Sequence, residues 1–234
     1  LVVLKIRGFL SPIDDSLRVR NYYFNDVKIE NHYLYSKVDA MCFHVKVTKT
    51  KEQIEKKSRL KFKPEVTFTP NPHFKGFDHP KLPVITNQQD FIHLFEWGLV
   101  PHWAGNDFNS NNTLNARIET IDEKPSFRDA FTNRCVILVD GFYEWRHEGK
   151  DKIKYEIGIN NNLMCLAGLY SDDTFTIVTT EAVGIMDYIH NTKHRMPVVF
   201  NDGENLMNWL NCKPIVPFTD FSYQREDGQV SLFG

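Results

Sequence analysis

Between residues 135 and 179 the chain repeats one pattern, a short apolar run followed by a polar or glycine-containing break. Cys135–Val139 is apolar and meets Asp140-Gly141. Phe142–Trp145 follows, then a turn at His147–Asp151. Tyr155–Ile159 closes at Asn160–Asn162, and Leu163–Tyr170 and Phe175–Thr179 complete the series. Short runs rich in β-branched and aromatic residues, bounded by Gly, Asn and Asp, read as successive strands joined by tight turns. A chain that spends its middle this way is committed to a β core, and the remaining elements must pack around it.

The flanks supply those elements. Phe43–Val47 reads as a short strand and Lys51–Arg59 as a charged helix. Phe74–Thr86, with Gly76, Pro80 and Pro83, reads as an extended loop. Phe91–Val100 is strand-like up to Pro101. Pro125 opens a short helix toward Phe131, since proline is tolerated in a first turn. Thr180 stands where an N-cap would, ahead of a helix near Glu181–His190. His194–Pro197 reads as a polar loop, Val198–Phe200 as a strand, Glu204–Leu210 as a helix, and the tail from Pro214 as irregular. The whole is α+β or mainly β, with long loops. Residues 1–40 lack sustained periodicity. Either translation begins at Met41, or residues 1–40 are a leader that packs on the domain of residues 41–234.

Size and charge narrow the functional classes. The 234 residues allow one large domain or two small ones, and 41% hydrophobic with 25% charged residues is a globular composition. No apolar run approaches the ~20 residues of a membrane span. Leu1–Leu4 is too short for a signal-peptide core. The expectation is therefore a cytoplasmic monomer without membrane contact. None of Cys42, Cys135, Cys165 and Cys212 forms a C-x-x-C pair, so neither a metal nor a redox motif is expected, and no cofactor. The formal net charge of −2 argues against bulk polycationic binding but leaves room for a local basic groove.

Several residues could carry chemistry. With Met41 removed, Cys42 would hold a free α-amine beside its thiol. An α-amine has a pKa near ~8 and is partly neutral at pH 7. A neutral amine attacks an aldehyde to form an imine, and the neighbouring thiol can then close a five-membered thiazolidine ring. The alternative is a buried cysteine at a strand start. Glu144, in Gly141-Phe142-Tyr143-Glu144-Trp145, shares a strand face with Phe142. Flanking aromatics would raise its pKa by desolvation and suit it to acid–base work; the alternative is a solvent-facing edge residue. His194, between Lys193 and Arg195, is a candidate base or an exposed loop histidine. Asn115 could orient a substrate and Arg117 grip a phosphate; both fit an ordinary turn as well. Trp97 and Trp103 flank a Gly/Pro bend. They could form a stacking platform worth roughly 1–3 kcal/mol per base, or pack in the core.

Taken in order, Met41-Cys42, Trp97-Gly98-Leu99 with Pro101 and Trp103, and Asn115-Ala116-Arg117 with Glu119-Thr120 form the first half of a pattern. Lys124-Pro125, Phe127-Arg128, Arg134-Cys135, Gly141 through Trp145, Thr179-Thr180 and His194-Arg195-Met196-Pro197 complete it. The ordered set resembles the SRAP family, the abasic-site processing proteins also called SOS response-associated peptidases. The resemblance implies a single domain with a curved, barrel-like, mainly antiparallel β core, peripheral helices and a groove for single-stranded DNA. It implies that Cys42 links covalently to an abasic sugar and that Asn115 positions the two. Glu144 would assist imine formation and ring closure, and His194 would act on the opened sugar's oxygen. Arg117, Arg128 and Arg195 become phosphate contacts, Trp97 and Trp103 shape the groove, and Met196 and Pro197 join the DNA-binding set. The implied partner is single-stranded DNA with abasic sites, which would make the protein nucleoid-associated when bound. Met41 removal by the protein itself and a lyase side activity are also implied. Two classes compete: a cysteine peptidase built on Cys42, His194 and Glu144, and a noncatalytic single-strand binding module. The chain departs from the family in Phe43-His44, where Gly-Arg is usual, and in lacking the Tyr-Asn-x-x-Pro segment.

Overall fold

The computed structural model describes residues 43–226. Residues 1–40, Met41 and Cys42 lie outside the described residues. The chain enters as β1 (His44–Val47), with Val45 and Val47 fully buried and His44 and Lys46 on the other face. Helix α1 (Lys51–Ser58) follows because Thr50 and Gln53 form a capping box, each side chain accepting from the other's backbone N–H. It ends at Arg59 in the left-handed region. Next come β2 (Lys61–Phe62), β3 (Asn71–Lys75), β4 (Lys81–Thr86) and β5 (Phe91–Trp97). A long loop leads to β6 (Asn115–Arg117) and the one-turn α2 (Pro125–Arg128). The central run of strands is β7 (Arg134–Val139), β8 (Gly141–Glu148), β9 (Asp151–Gly158), β10 (Met164–Ser171) and β11 (Thr174–Glu181). Helix α3 (Ile185–Ile189), β12 (Arg195–Pro197), β13 (Val199–Phe200), α4 (Gly203–Leu210) and β14 (Ser222–Arg225) complete the domain.

The strands form two sheets in an α+β domain. One has the order β14-β9-β8-β1-β3. The other runs β12-β11-β10-β7-β4-β5-β2, with β13 beside β10 and β6 beside β11. Most pairs are antiparallel; β6 and β5 each run parallel to β11, and β2 parallel to β5. The second sheet is curved enough for β5 to meet β11 at Glu96/Thr174 and Trp97/Phe175. That contact is only two residues long, so the sheet is curved rather than closed into a full barrel. Cys135 through Val139 are all fully buried, since β7 sits between β4 and β10 and has no solvent face. Each large apolar side chain buried this way contributes about 1.5–3 kcal/mol.

Asp140 marks the crossing from one sheet to the other, between β7 and β8. Its buried carboxylate accepts from the Thr48 N–H at 3.0 Å and from the Thr48 hydroxyl, with Lys49 Nζ at 3.5 Å. The Asp140-Gly141 punctuation is thus also a buried tie to the end of β1, and it fixes where β8 begins.

Four local expectations need correction. Residues 74–86 are not an extended loop but the end of β3, a 3-10 turn at Gly76–Asp78, and β4. Pro83 is tolerated in β4 because pairing with β7 starts only at Val84. Thr180 is not an N-cap; it pairs with Met196 in the β11–β12 ladder, and the helix is confined to Ile185–Ile189. Residues 195–197 are a strand for the same reason. The tail contains β14, which pairs with β9. Among the described residues, no helix is long and apolar enough to cross a membrane.

Candidate active site

Alternation along β8 puts Phe142 and Glu144 on the inward face, as the sequence suggests. Phe142 is fully buried and Glu144 is 5% exposed. On the opposite face the Tyr143 hydroxyl donates to the Pro72 carbonyl at 2.9 Å. Glu144 Oε1 is buried without a hydrogen-bond partner among the described residues. Its Oε2 lies 3.9 Å from Nε2 of His190. Burial pushes the Glu144 carboxyl up to about 8, offset only in part by the Trp145 backbone. The side chain is therefore a neutral acid near neutral pH.

His190 closes α3 and is itself buried. Its Nδ1 lies 2.8 Å from the Arg195 carbonyl oxygen. A carbonyl only accepts, so Nδ1 carries the proton and Nε2 turns its lone pair toward Glu144. Burial lowers the His190 pKa, opposed by the Arg195 carbonyl and reinforced by His194, His147 and Lys193. A protonated carboxyl facing a neutral imidazole is a donor–acceptor pair through which a proton can pass with small movement.

His194, the histidine expected from sequence, lies elsewhere. It takes a left-handed φ of 52° on the exposed loop between α3 and β12, and Nδ1 pairs with the Asp187 carboxylate. The structure brings His190, not His194, to Glu144. The sequence did carry a signal for this: His190 ends an apolar helical stretch after Ile189, the pattern of an inward-facing residue.

The other expected site residues divide by exposure. Asn115 is half-buried in β6 opposite Ile177, and Arg117, two residues on, is exposed opposite Thr179. Arg195 makes a bidentate pair with Glu119 at 2.9 and 2.8 Å and also donates to the Thr179 carbonyl. A phosphate would have to compete with Glu119 for it. Arg128 is exposed beside Asp129. Trp97 is fully buried, stacked on Phe175, with its indole N–H on the Leu114 carbonyl at 2.8 Å. It shapes the following loop from below and offers no face to a base. Trp103 is 49% exposed and held by an N–H bond to the Pro125 carbonyl. Met196 and Pro197 are buried in the β12 ladder.

The start of β1 approaches the same strand. The His44 ring meets Trp145 edge-on, with centroids 4.7 Å apart, and His44 Nδ1 lies 2.8 Å from His73 Nε2. Burial, with the charges of His73, Lys75 and Lys154, lowers the His44 pKa to about 4. The ring at this position is therefore uncharged near neutral pH. Burial pushes the Cys165 thiol up to about 12 and Cys135 higher still, so neither serves as a nucleophile. Among the described residues, no three His, Cys, Asp or Glu converge as a metal site.

A buried carboxylic acid facing a neutral imidazole, on a curved α+β scaffold, makes a candidate general acid–base site. The chain belongs to the SOS response associated peptidase (SRAP) family, whose model matches residues 41–219. A crystal structure of a protein from Bacteroides thetaiotaomicron superposes with a TM-score of 0.70 at 31% identity, over 79% of this chain and 91% of that one. A Bordetella bronchiseptica protein shares the fold at 18% identity and a TM-score of 0.65, over 79% and 99%. The abasic site processing protein YoqW of Bacillus subtilis (strain 168) is 41% identical over 133 residues, 52% of this chain and 58% of that protein. The abasic site processing protein HMCES of Gallus gallus is 31% identical over 149 residues, 49% of this chain and 44% of that protein. The match thus spans less than two thirds of these curated relatives.

Proposed function

We propose that this chain processes abasic sites in single-stranded DNA by covalent capture, with Cys42 at its N-terminus as the nucleophile. The observation that carries the reading is the buried Glu144–His190 pair, whose acid lies on the strand that β1 pairs with. The names of the curated relatives support the coarser statement, abasic-site processing.

The chemistry balances as follows. The neutral α-amine of Cys42 adds to the C1′ aldehyde of the ring-opened sugar, giving a carbinolamine. Neutral Glu144 donates a proton to the hydroxyl, which leaves as water, and the imine forms. The resulting carboxylate takes the thiol proton as sulfur adds to the imine carbon. The nitrogen electron pair is restored and a thiazolidine closes. One water is released in all. His190, with its acceptor nitrogen toward Glu144, shares the carboxyl proton before the first step and again once the thiol proton has been taken up. Asn115 orients the sugar, Arg117 and Arg128 meet phosphates, and Trp103 stacks with a base.

The test uses protein beginning at Cys42 and a single-stranded oligonucleotide with one abasic site. Wild type should form an adduct that survives heating. Cys42→Ser, which can make the imine but closes a weaker ring, should give only a labile one. Acetylating the N-terminus should abolish capture. A peptidase using only the thiol would keep its activity after acetylation, and a noncatalytic module would bind intact and abasic strands equally. Either result would overturn the proposal.

A further inference from the structure

His190 reaches Glu144 from a different element, and two side chains on β8 and the α3–β12 loop hold it there. The Asn191 side chain makes a reciprocal pair with the backbone of His147: Oδ1 accepts from the His147 N–H at 3.0 Å, and Nδ2 donates to the His147 carbonyl at 2.9 Å. The carboxamide thus copies the two-bond pairing of a neighbouring strand. On the other side of His190, Arg146 lies over the Tyr188 ring, its guanidinium carbon 3.8 Å from the centroid, and donates Nη1 to the Tyr188 carbonyl. Arg146 is itself held by Glu148 at 3.2 Å. The residues before and after His190 are therefore both fastened to β8, two and three residues beyond Glu144.

We infer that Asn191 and Arg146 are positioning residues for the proposed reaction, a clamp that sets the distance between the His190 imidazole and the Glu144 carboxyl. Helix α3 spans only five residues, too short to hold a register alone. The 3.9 Å separation lies just outside direct hydrogen bonding, so a small shift decides whether a proton passes. The clamp rests on the acid–base reading of that pair, but its geometry can be tested without catalysis.

The groups facing His190 are Glu144 on β8, His147 at its far end, and Lys193, His194 and the Arg195 carbonyl on the following loop. The experiment follows His190 by NMR titration in wild type, Asn191→Ala and Arg146→Lys. It also measures adduct formation on the abasic oligonucleotide and affinity for the intact strand. Arg146→Lys keeps the charge, so any change in titration reports geometry rather than a lost cation. In either variant the His190 pKa should rise toward the ordinary imidazole range as the ring loosens into solvent. Adduct formation should fall by about 10- to 100-fold, the scale expected for an ångström-sized misplacement, with intact-strand affinity unchanged. An unmoved His190 titration in a folded variant overturns the inference. So does a loss of rate matched by an equal loss of strand affinity. If Asn191→Ala does not fold, Arg146→Lys carries the test alone. If wild type forms no adduct, the functional reading fails while the titration still decides the clamp.

Discussion

Glu144 is the residue on which the proposed chemistry turns, and its protonation has two measurable consequences. Its folded-state pKa lies above its unfolded value, so the stability tied to its neutral form is full below about 4.5 and is lost as pH rises through about 8. The fall is at most about 1.4 kcal/mol per pH unit between those values. Denaturant melts at a series of pH values should show that slope in wild type, and Glu144→Gln should flatten it. In catalysis, the Cys42 amine must be neutral and Glu144 protonated, so the rate of capture should peak between the two demands. Glu144→Gln should lower the peak by about 10²-fold or more and remove the alkaline limb. A second residue-scale prediction concerns His44. Restoring the usual arginine by His44→Arg should tighten single-strand binding and steepen its log–log salt dependence by about 0.7, one added phosphate contact. Titration of binding against salt would check it, and an unchanged slope would remove His44 from the groove.

At the scale of elements, the turn after β5 depends on Gly98. Its φ is 125°, and an added Cβ would sit 2.8 Å from His79 Nδ1, the atom bonded to the Trp97 carbonyl at 2.7 Å. Gly98→Ala should therefore destabilise by roughly 1–3 kcal/mol, seen as a lowered unfolding midpoint at constant slope. The Trp97-Gly98-Leu99 motif thus has a conformational requirement of its own. The same scale shows what was legible in the sequence. The run of strands from β7 to β11 was readable because each strand is bounded by its own turn residues and buries its own apolar face. The strands Lys81–Thr86, Arg195–Pro197 and Ser222–Arg225 were not, because prolines, charges and short length hide them. The last two exist only through partners distant in sequence, while Lys81–Thr86 pairs with both its neighbour β5 and the distant β7. Glu144 was legible from two-residue alternation. The burial of His190 beside Glu144 was not legible, because both His190 and His194 are single histidines near a motif and only the path of the α3–β12 loop distinguishes the one that turns inward.

For the whole molecule, the two sheets meet at Asp140, which passes the chain from β7 to β8 and ties down the end of β1. That arrangement pairs β1 with the strand carrying the acid, while α3 brings the imidazole to it, although the three come from separate parts of the chain. Binding of a strand should rest on few charges, since Arg195 is engaged by Glu119 and His44 is neutral. Trp103, exposed on its loop, should then matter more. Trp103→Ala should weaken intact single-strand binding by roughly 1–3 kcal/mol in an anisotropy titration, with little effect on stability. The central claim is that Cys42, as the first residue, captures an abasic aldehyde through both its amine and its thiol. Its most direct test is the intact mass and peptide map of protein beginning at Cys42 after reaction with an abasic single strand. The account predicts one adduct per chain, with a mass equal to protein plus oligonucleotide less one water, mapped to the peptide that begins at Cys42. No adduct, or one mapped to a lysine with Cys42 unmodified, would contradict it.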